Sequence, residues 1–347
     1  MNVKRVTRIR ADQSGYETFA WIMRDGRGHC LVFIRCVSAQ NNVPSDAMKP
    51  QHTIPISLTC AGLILSIAWF AGSQSVDILG IPGIFLLGLC ALCLNWLAFI
   101  PAVVLRTETF YDGVGTCTYL MMVGFGLYWV WPGVMEWDRR VILGTLVAIW
   151  AIRLGVFLVR RVHSVGKDGR FDKIKYNTWQ FFMSWSIQAL WAFLVSLPVL
   201  IMITKSGPQP ELQALDIVGW SLWAKGFLIE IVADHQKERF RHRADSDQTW
   251  IDEGLWSHAQ HPNYFGEILL WTGICLSGVH CYEGAEWLAL LSPVFVYLIL
   301  TQVSGIPMVR KRCEEKWGDD PGYWAYRRRT HVLIPWPWPR SSSTHHD

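Results

Sequence analysis

The sequence is poor in charge. Asp, Glu, Lys and Arg make up 17% of its 347 residues, against about 25% in an ordinary soluble domain. Hydrophobic residues reach 51%, so a water-soluble fold is excluded and an integral membrane protein is expected. No dinucleotide-type GxGxxG occurs, nor any alternation of strand-like and helix-like segments. A Rossmann domain is therefore excluded as the holder of any nucleotide. There is no internal repeat. The one CxxC, Cys90-Ala-Leu-Cys93, sits in an apolar run, where both cysteines read as small hydrophobes rather than as a metal or redox site. No metal site and no disulfide framework are expected. The net charge of +4 is too small to indicate a nucleic-acid partner.

What is abundant is apolar sequence in long runs. Crossing a bilayer takes about 20 residues. Eight runs qualify as candidates, near 54–72, 79–105, 109–131, 141–159, 179–203, 214–233, 265–280 and 286–304. The expected fold is an all-α polytopic membrane bundle of seven or eight transmembrane helices. Basic residues crowd alternate loops: Arg160 to Lys175, Lys237 to Arg243, and the tail after residue 304. The other loops hold few, apart from Arg139 and Arg140 in 132–140 and Lys205 in 204–216. By the positive-inside rule the basic loops are cytosolic, and eight spans put both termini there. Residues 1–50 lack clear periodicity and read as a disordered cytosolic leader. No uninterrupted apolar run precedes residue 54, which argues against a cleaved signal peptide. Residues 51–338 form the expected membrane domain, and 339–347 a disordered tail.

Ionisable residues inside spans are costly, so each is a site candidate. Five stand out: Asp112, Arg153, Lys225, Glu230 and Glu267. Asp112 fits a helix cap as well as a buried acid. Lys225 fits a structural ion pair as well as a ligand contact. Glu230 and Asp234 lie one helical turn apart, next to a basic run that suits either a solvated helix end or a ligand. The densest motif is HPNYFGE, residues 261–267. Pro262 suits a helix start, and Asn263 and Glu267 at i, i+4 share a face. An amide, a phenol, an imidazole and a carboxylate thus gather at one membrane boundary. Amides and carboxylates can read the hydroxyls and carboxamide of a dinucleotide, while arginines from nearby loops hold its phosphates.

The segment GLWSHAQHPNYFGEILLWTGI (254–274) resembles the signature of the DUF1295 group, related to the steroid 5-alpha-reductase C-terminal domain and more distantly to sterol C14- and C24(28)-reductases. AIRLGVFLVRRV (151–162), ADHQKERFR (233–241) and the module 303–335 are similar as well, and the likeness runs from about residue 60 to 338. It implies a helical membrane protein that holds NADPH in a cytosol-facing cavity, within about 141–338. It also implies reduction of an activated C=C bond in a lipid. Carried over by motif, the implied cofactor contacts are Arg153, Arg170, Asp234, Arg241, His261, Asn263, Tyr264, Glu267, Tyr326 and Arg328. Asp112 and Tyr264 are candidates for the proton-donor side. If the source is eukaryotic, the endoplasmic reticulum is the implied membrane. Two departures stand out: Gln260 replaces the arginine usual before HPNY, and Trp150 replaces the tyrosine that polarises a steroid 3-ketone. Two alternatives remain open. An isoprenylcysteine-type carboxyl methyltransferase would hold S-adenosylmethionine near Glu314, Glu315 and Tyr326. A membrane scaffold would keep the bundle without turnover.

Overall fold

The computed structural model describes residues 3–11, 16–24, 30–38, 49–131, 138–165, 171–243 and 249–336. It divides into two units, Met1–Met48 and Lys49–Asp347. In the first, strands β1 (Val3–Ala11), β2 (Tyr16–Arg24) and β3 (Cys30–Ser38) form an antiparallel sheet in chain order. This differs from the irregular leader expected. The cause is local composition: YETFAWIMR and CLVFIRCVS are rich in aromatic and β-branched residues. The two pair without a break from Tyr16 opposite Ser38 to Arg24 opposite Cys30.

The second unit is helical. Helix α1 (Pro50–Ala71) leads through a tight hairpin, β4 (Asp77–Ile78) and β5 (Ile81–Pro82), into α2 (Gly83–Leu105). Leu79 and Gly80 both take positive φ at that hairpin's tip, as a primed turn demands. Then come α3 (Tyr111–Val130), α4 (Arg139–Val165), α5 (Thr178–Thr204), α6 (Ala214–Arg241) and α7 (Pro262–Ser277). A 3-10 stretch, Gly284–Leu290, runs into α8 (Leu291–Leu298) and on through a π turn, Ile299–Val303. Two short helices, α9 (Ile306–Trp317) and α10 (Pro321–Arg329), close the described chain.

Helix α5 is the axis. Every residue from Ala192 to Thr204 is buried, and α1, α2, α3, α4 and α8 pack around it. The surrounding helices turn large apolar side chains outward, among them Leu58, Phe70, Leu97, Val104 and Leu228. An inside-out distribution of this kind suits a lipid solvent, and the protein is a multi-pass membrane bundle.

Six helical stretches are long and apolar enough to cross a bilayer: 50–74, 83–105, 111–130, 139–161, 178–204 and 284–317. The two others among the eight expected runs form α6 and α7. Helix α6 carries Lys225, Glu230 and Asp234, and α7 has only 16 residues. They are instead locked to one another as an antiparallel pair. A Cβ added to Gly219 would stand 2.5 Å from the Gly273 carbonyl oxygen, and one on Gly226 2.5 Å from that of Gly266. Only glycine permits that approach, as at small-residue helix contacts in membranes. Lys225 is exposed on the outer face of α6 and, among the described residues, forms no ion pair, contrary to one of its two expected roles.

Candidate functional site

The polar site begins on α4. Arg153 reaches across to α6 and takes two carboxylates one turn apart. Its Nη1 lies 2.5 Å from Glu230 Oε1 and its Nη2 2.6 Å from Asp234 Oδ2. Trp150, one turn earlier on α4, donates its indole N–H to Glu230 Oε2 at 3.2 Å. From α7, Asn263 donates its amide N–H to Asp234 Oδ1 at 3.3 Å. Glu230 and Asp234 are buried ion-pair partners that tie α4, α6 and α7 together. Trp150 still supplies a donor at the position where the tyrosine was missing.

Two neighbours of this network lack partners. Glu267, half-buried one turn beyond Asn263, forms no hydrogen bond or ion pair with the described residues. The Tyr119 hydroxyl on α3 is buried, and no described residue stands at hydrogen-bonding geometry to it. Its ring meets Trp150 edge-on at 5.2 Å and stacks on Trp271 at 6.4 Å. Tyr119 escaped the sequence reading because a single tyrosine in an apolar helix carries no local signal.

Beyond the charged end of α6 opens a cavity of about 550 Å³. Its walls are the ends of α4 and α6, the turn 250–261, and α9 with α10. Six basic side chains line it, Arg161, Lys237, Arg241, Arg310, Lys316 and Arg327, against one carboxylate, Glu238. Six aromatic rings line it too, including Trp250, Trp256, Trp317 and Tyr323. Lys237 lies over the Trp256 ring at 4.9 Å. His261, just before α7, forms the edge next to Asn263 and stacks on Tyr264 at 5.3 Å. Burial lowers the His261 pKa to about 3, and the cations Lys237, Arg310 and Arg327 add to the effect. The imidazole is therefore neutral at physiological pH, and the same cationic field favours an anion in the cleft.

Gln260 has become an anchor. Its side-chain amide donates to the carbonyls of Arg327 at 3.1 Å and Thr330 at 3.3 Å, and its backbone N–H to His331 O at 2.8 Å. The cations absent at position 260 enter the cleft from α9 and α10 instead. Tyr326 lines the cleft, but its hydroxyl donates to Trp256 O at 2.9 Å, and burial pushes its pKa well up. It holds α10 in place.

Of the residues singled out from sequence, Arg153, Asp234 and Asn263 share one network, with Glu267 following on the same helix. Arg241, His261 and Tyr326 line the adjoining cleft, and Tyr264 stacks behind His261. Arg328 does not belong: it is exposed, whereas Arg327, about 100° around the helix, lines the cleft and pairs with Glu314 at 2.5 Å. Asp112 opens α3, with its carboxylate 3.8 Å from Arg161, and does not line the cleft. Arg170 lies outside the described residues. The sequence reading passed over Arg161, Lys237, Arg310 and Trp250 as site residues; the interleaving of basic and aromatic residues across 306–329 was the available signal for Arg310 alone.

Fold and site together define a multi-pass helical membrane protein in which a basic, aromatic cleft opens onto a buried carboxylate–guanidinium network. The chain belongs to the DUF1295 family, described as proteins of unknown function, whose match covers residues 98–330. It is 36% identical to 3-oxo-5-alpha-steroid 4-dehydrogenase 1 of Homo sapiens over 61 residues, covering 18% of this chain and 24% of that protein. The Rattus norvegicus protein of the same name is 26% identical over 119 residues, 34% of this chain and 40% of the relative. The chain thus matches only a quarter to two-fifths of the length of these curated relatives. No solved structure matches it.

Proposed function

We propose that the chain is an NADPH-dependent reductase of an activated C=C bond in a membrane lipid, with its cleft at the cytosolic face. The observation that carries this is the union of two chemistries at one place. Six cations and a set of flat rings suit a phosphorylated nucleotide. At the adjoining edge, the buried Asn263 Oδ1 has no hydrogen-bond partner, and neither has the Trp250 indole N–H. An orphaned acceptor and an orphaned donor are what a missing polar ligand leaves behind. Arg161, Lys237, Arg241 and Arg327 would hold phosphates, and Asn263 and Glu267 the amide and ribose groups. When bound, NADPH supplies the hydride.

The chain's own residues supply position and charge. The Arg153–Glu230–Asp234 network fixes the end of α6 against α4 and orients Asn263. The buried Tyr119 hydroxyl, beside Trp150 and Trp271, would orient a substrate oxygen or provide its proton. Asp112 suits that role less well, because its carboxylate lies 3.8 Å from Arg161 and does not line the cleft. Cations in this number fit a polyanion better than the cationic sulfonium of S-adenosylmethionine. Glu314, which a methyltransferase reading would use, is engaged by Arg327. The names of the relatives point toward a 3-oxo-steroid; the basic loops support cytosolic termini; and an endoplasmic-reticulum membrane follows from the family reading.

The test is titration of purified protein with NADPH and with S-adenosylmethionine, following thermal shift. NADPH alone should raise the unfolding temperature. Asn263→Ala and Glu267→Gln should each weaken NADPH binding by about tenfold, the worth of one good polar contact. Wild-type affinity in both variants would sink the assignment.

A further inference from the structure

Outside the cleft lies a second cavity, about 530 Å³, that shares Arg310 with the first. One wall is the end of the last span, with Tyr297 and Thr301; the other is α9, with Ile306, Arg310 and Lys311. The π turn Ile299–Val303 joins these walls: Ser304 and Gly305 both donate their N–H to Ile299 O, at 2.9 and 3.3 Å. Such turns recur at functional sites because they re-aim side chains out of α-helical phase.

The charge of this groove is lopsided. Arg310 is exposed and forms no ion pair among the described residues. The nearest carboxylate to Lys311 is Glu315 at 4.0 Å, with both side chains mostly in the open. Glu314, the groove's own acid, is held by Arg327 at 2.5 Å. Along α8 Val294 and Leu298 are exposed apolar side chains one turn apart, each three residues before a residue of the groove wall, Tyr297 and Thr301 respectively.

We propose that this groove binds an anionic phospholipid, its acyl chains along Val294 and Leu298 and its phosphate at Lys311 and Arg310. The depth of the site suits this occupant, since the cations follow directly on the apolar span, where a headgroup lies. A soluble anion would leave Val294 and Leu298 unused. The proposal does not depend on the identity of the cofactor, because Lys311 lines only this groove.

Native mass spectrometry of the full chain in detergent tests it, with phosphatidylglycerol and phosphatidylcholine of the same acyl chains supplied in equal amounts. Phosphatidylglycerol should be retained preferentially, and Lys311→Ala should cut the preference about fivefold, the worth of one basic residue at a membrane surface. Arg312→Ala removes the same charge one residue along α9, outside both cavities, and should leave the preference intact. Equal retention of the two lipids by the wild type, an equal loss in both variants, or displacement of phosphatidylglycerol by millimolar inorganic phosphate would each overturn the proposal.

Discussion

Helices α4 and α6 end in opposite electrostatic arrangements. At the start of both, every cation meets an acid. Arg139 grips Asp216 with two bonds of 2.6 and 2.8 Å, and both side chains are fully buried. Arg140 holds Asp138 at 2.6 Å, and Lys205 nearby holds Glu286 at 2.6 Å. At the far end of the same helices, the cleft gathers six cations around one carboxylate. The balanced end needs nothing further and fixes the fold. The cleft end keeps more cations than acids even with Arg327 on Glu314 and Arg161 near Asp112, a surplus that suits an anion. The three basic residues in the loops otherwise poor in basic charge, Arg139, Arg140 and Lys205, are all engaged in these pairs.

The comparison can be broken most forcefully at the balanced end. Asp216→Ala leaves Arg139 buried without its counter-ion and should cost about 3–5 kcal/mol, seen as a large drop in unfolding temperature in detergent that added salt does not restore. At the cleft the opposite is expected. Lys237→Ala should leave the unfolding temperature of the free protein nearly unchanged, yet weaken NADPH binding by about tenfold. The salt dependence of binding should flatten with it. A stability loss there as large as that of Asp216→Ala would erase the distinction between the two ends. A pH effect comes next. The His261 pKa is about 3 in the folded chain and about 6.5 when unfolded, so the unfolded state binds the extra proton between those values. Stability should therefore rise as pH climbs from about 3 to 6.5 and level off above. His261→Gln should flatten that slope when unfolding is measured by denaturant. The smallest effect is expected on the lipid-facing side: Lys225→Leu should change stability by no more than roughly 0.5 kcal/mol.

Much of the bundle was legible because lipid imposes long apolar runs, and α1 to α5 appear close to where those runs lie. The start of α7 was legible from Pro262, and the shared face of Asn263 and Glu267 from their spacing. Other features were hidden for specific reasons. Gly219, Gly226, Gly266 and Gly273 are each visible as glycines, but their pairing joins residues some 40 to 54 positions apart. The choice between Arg327 and Arg328 turns on a single step around α10. The partnership of Arg153 with Glu230 needs the relative height of α4 and α6, which no local pattern encodes. The strands β1 to β3 were overlooked because short alternating segments carry a weaker signal than the long runs beside them.

The glycine contact between α6 and α7 has a geometric corollary. Glu230 and Asp234 ride on one helix and Asn263 and Glu267 on the other, at or within about a turn of the contact between Gly226 and Gly266. The gap between those polar groups is thus gauged by hydrogen atoms, at the narrowest setting a polypeptide allows. Any side chain at Gly226 or Gly266 would act as a shim, prising the jaws apart without altering a single charge.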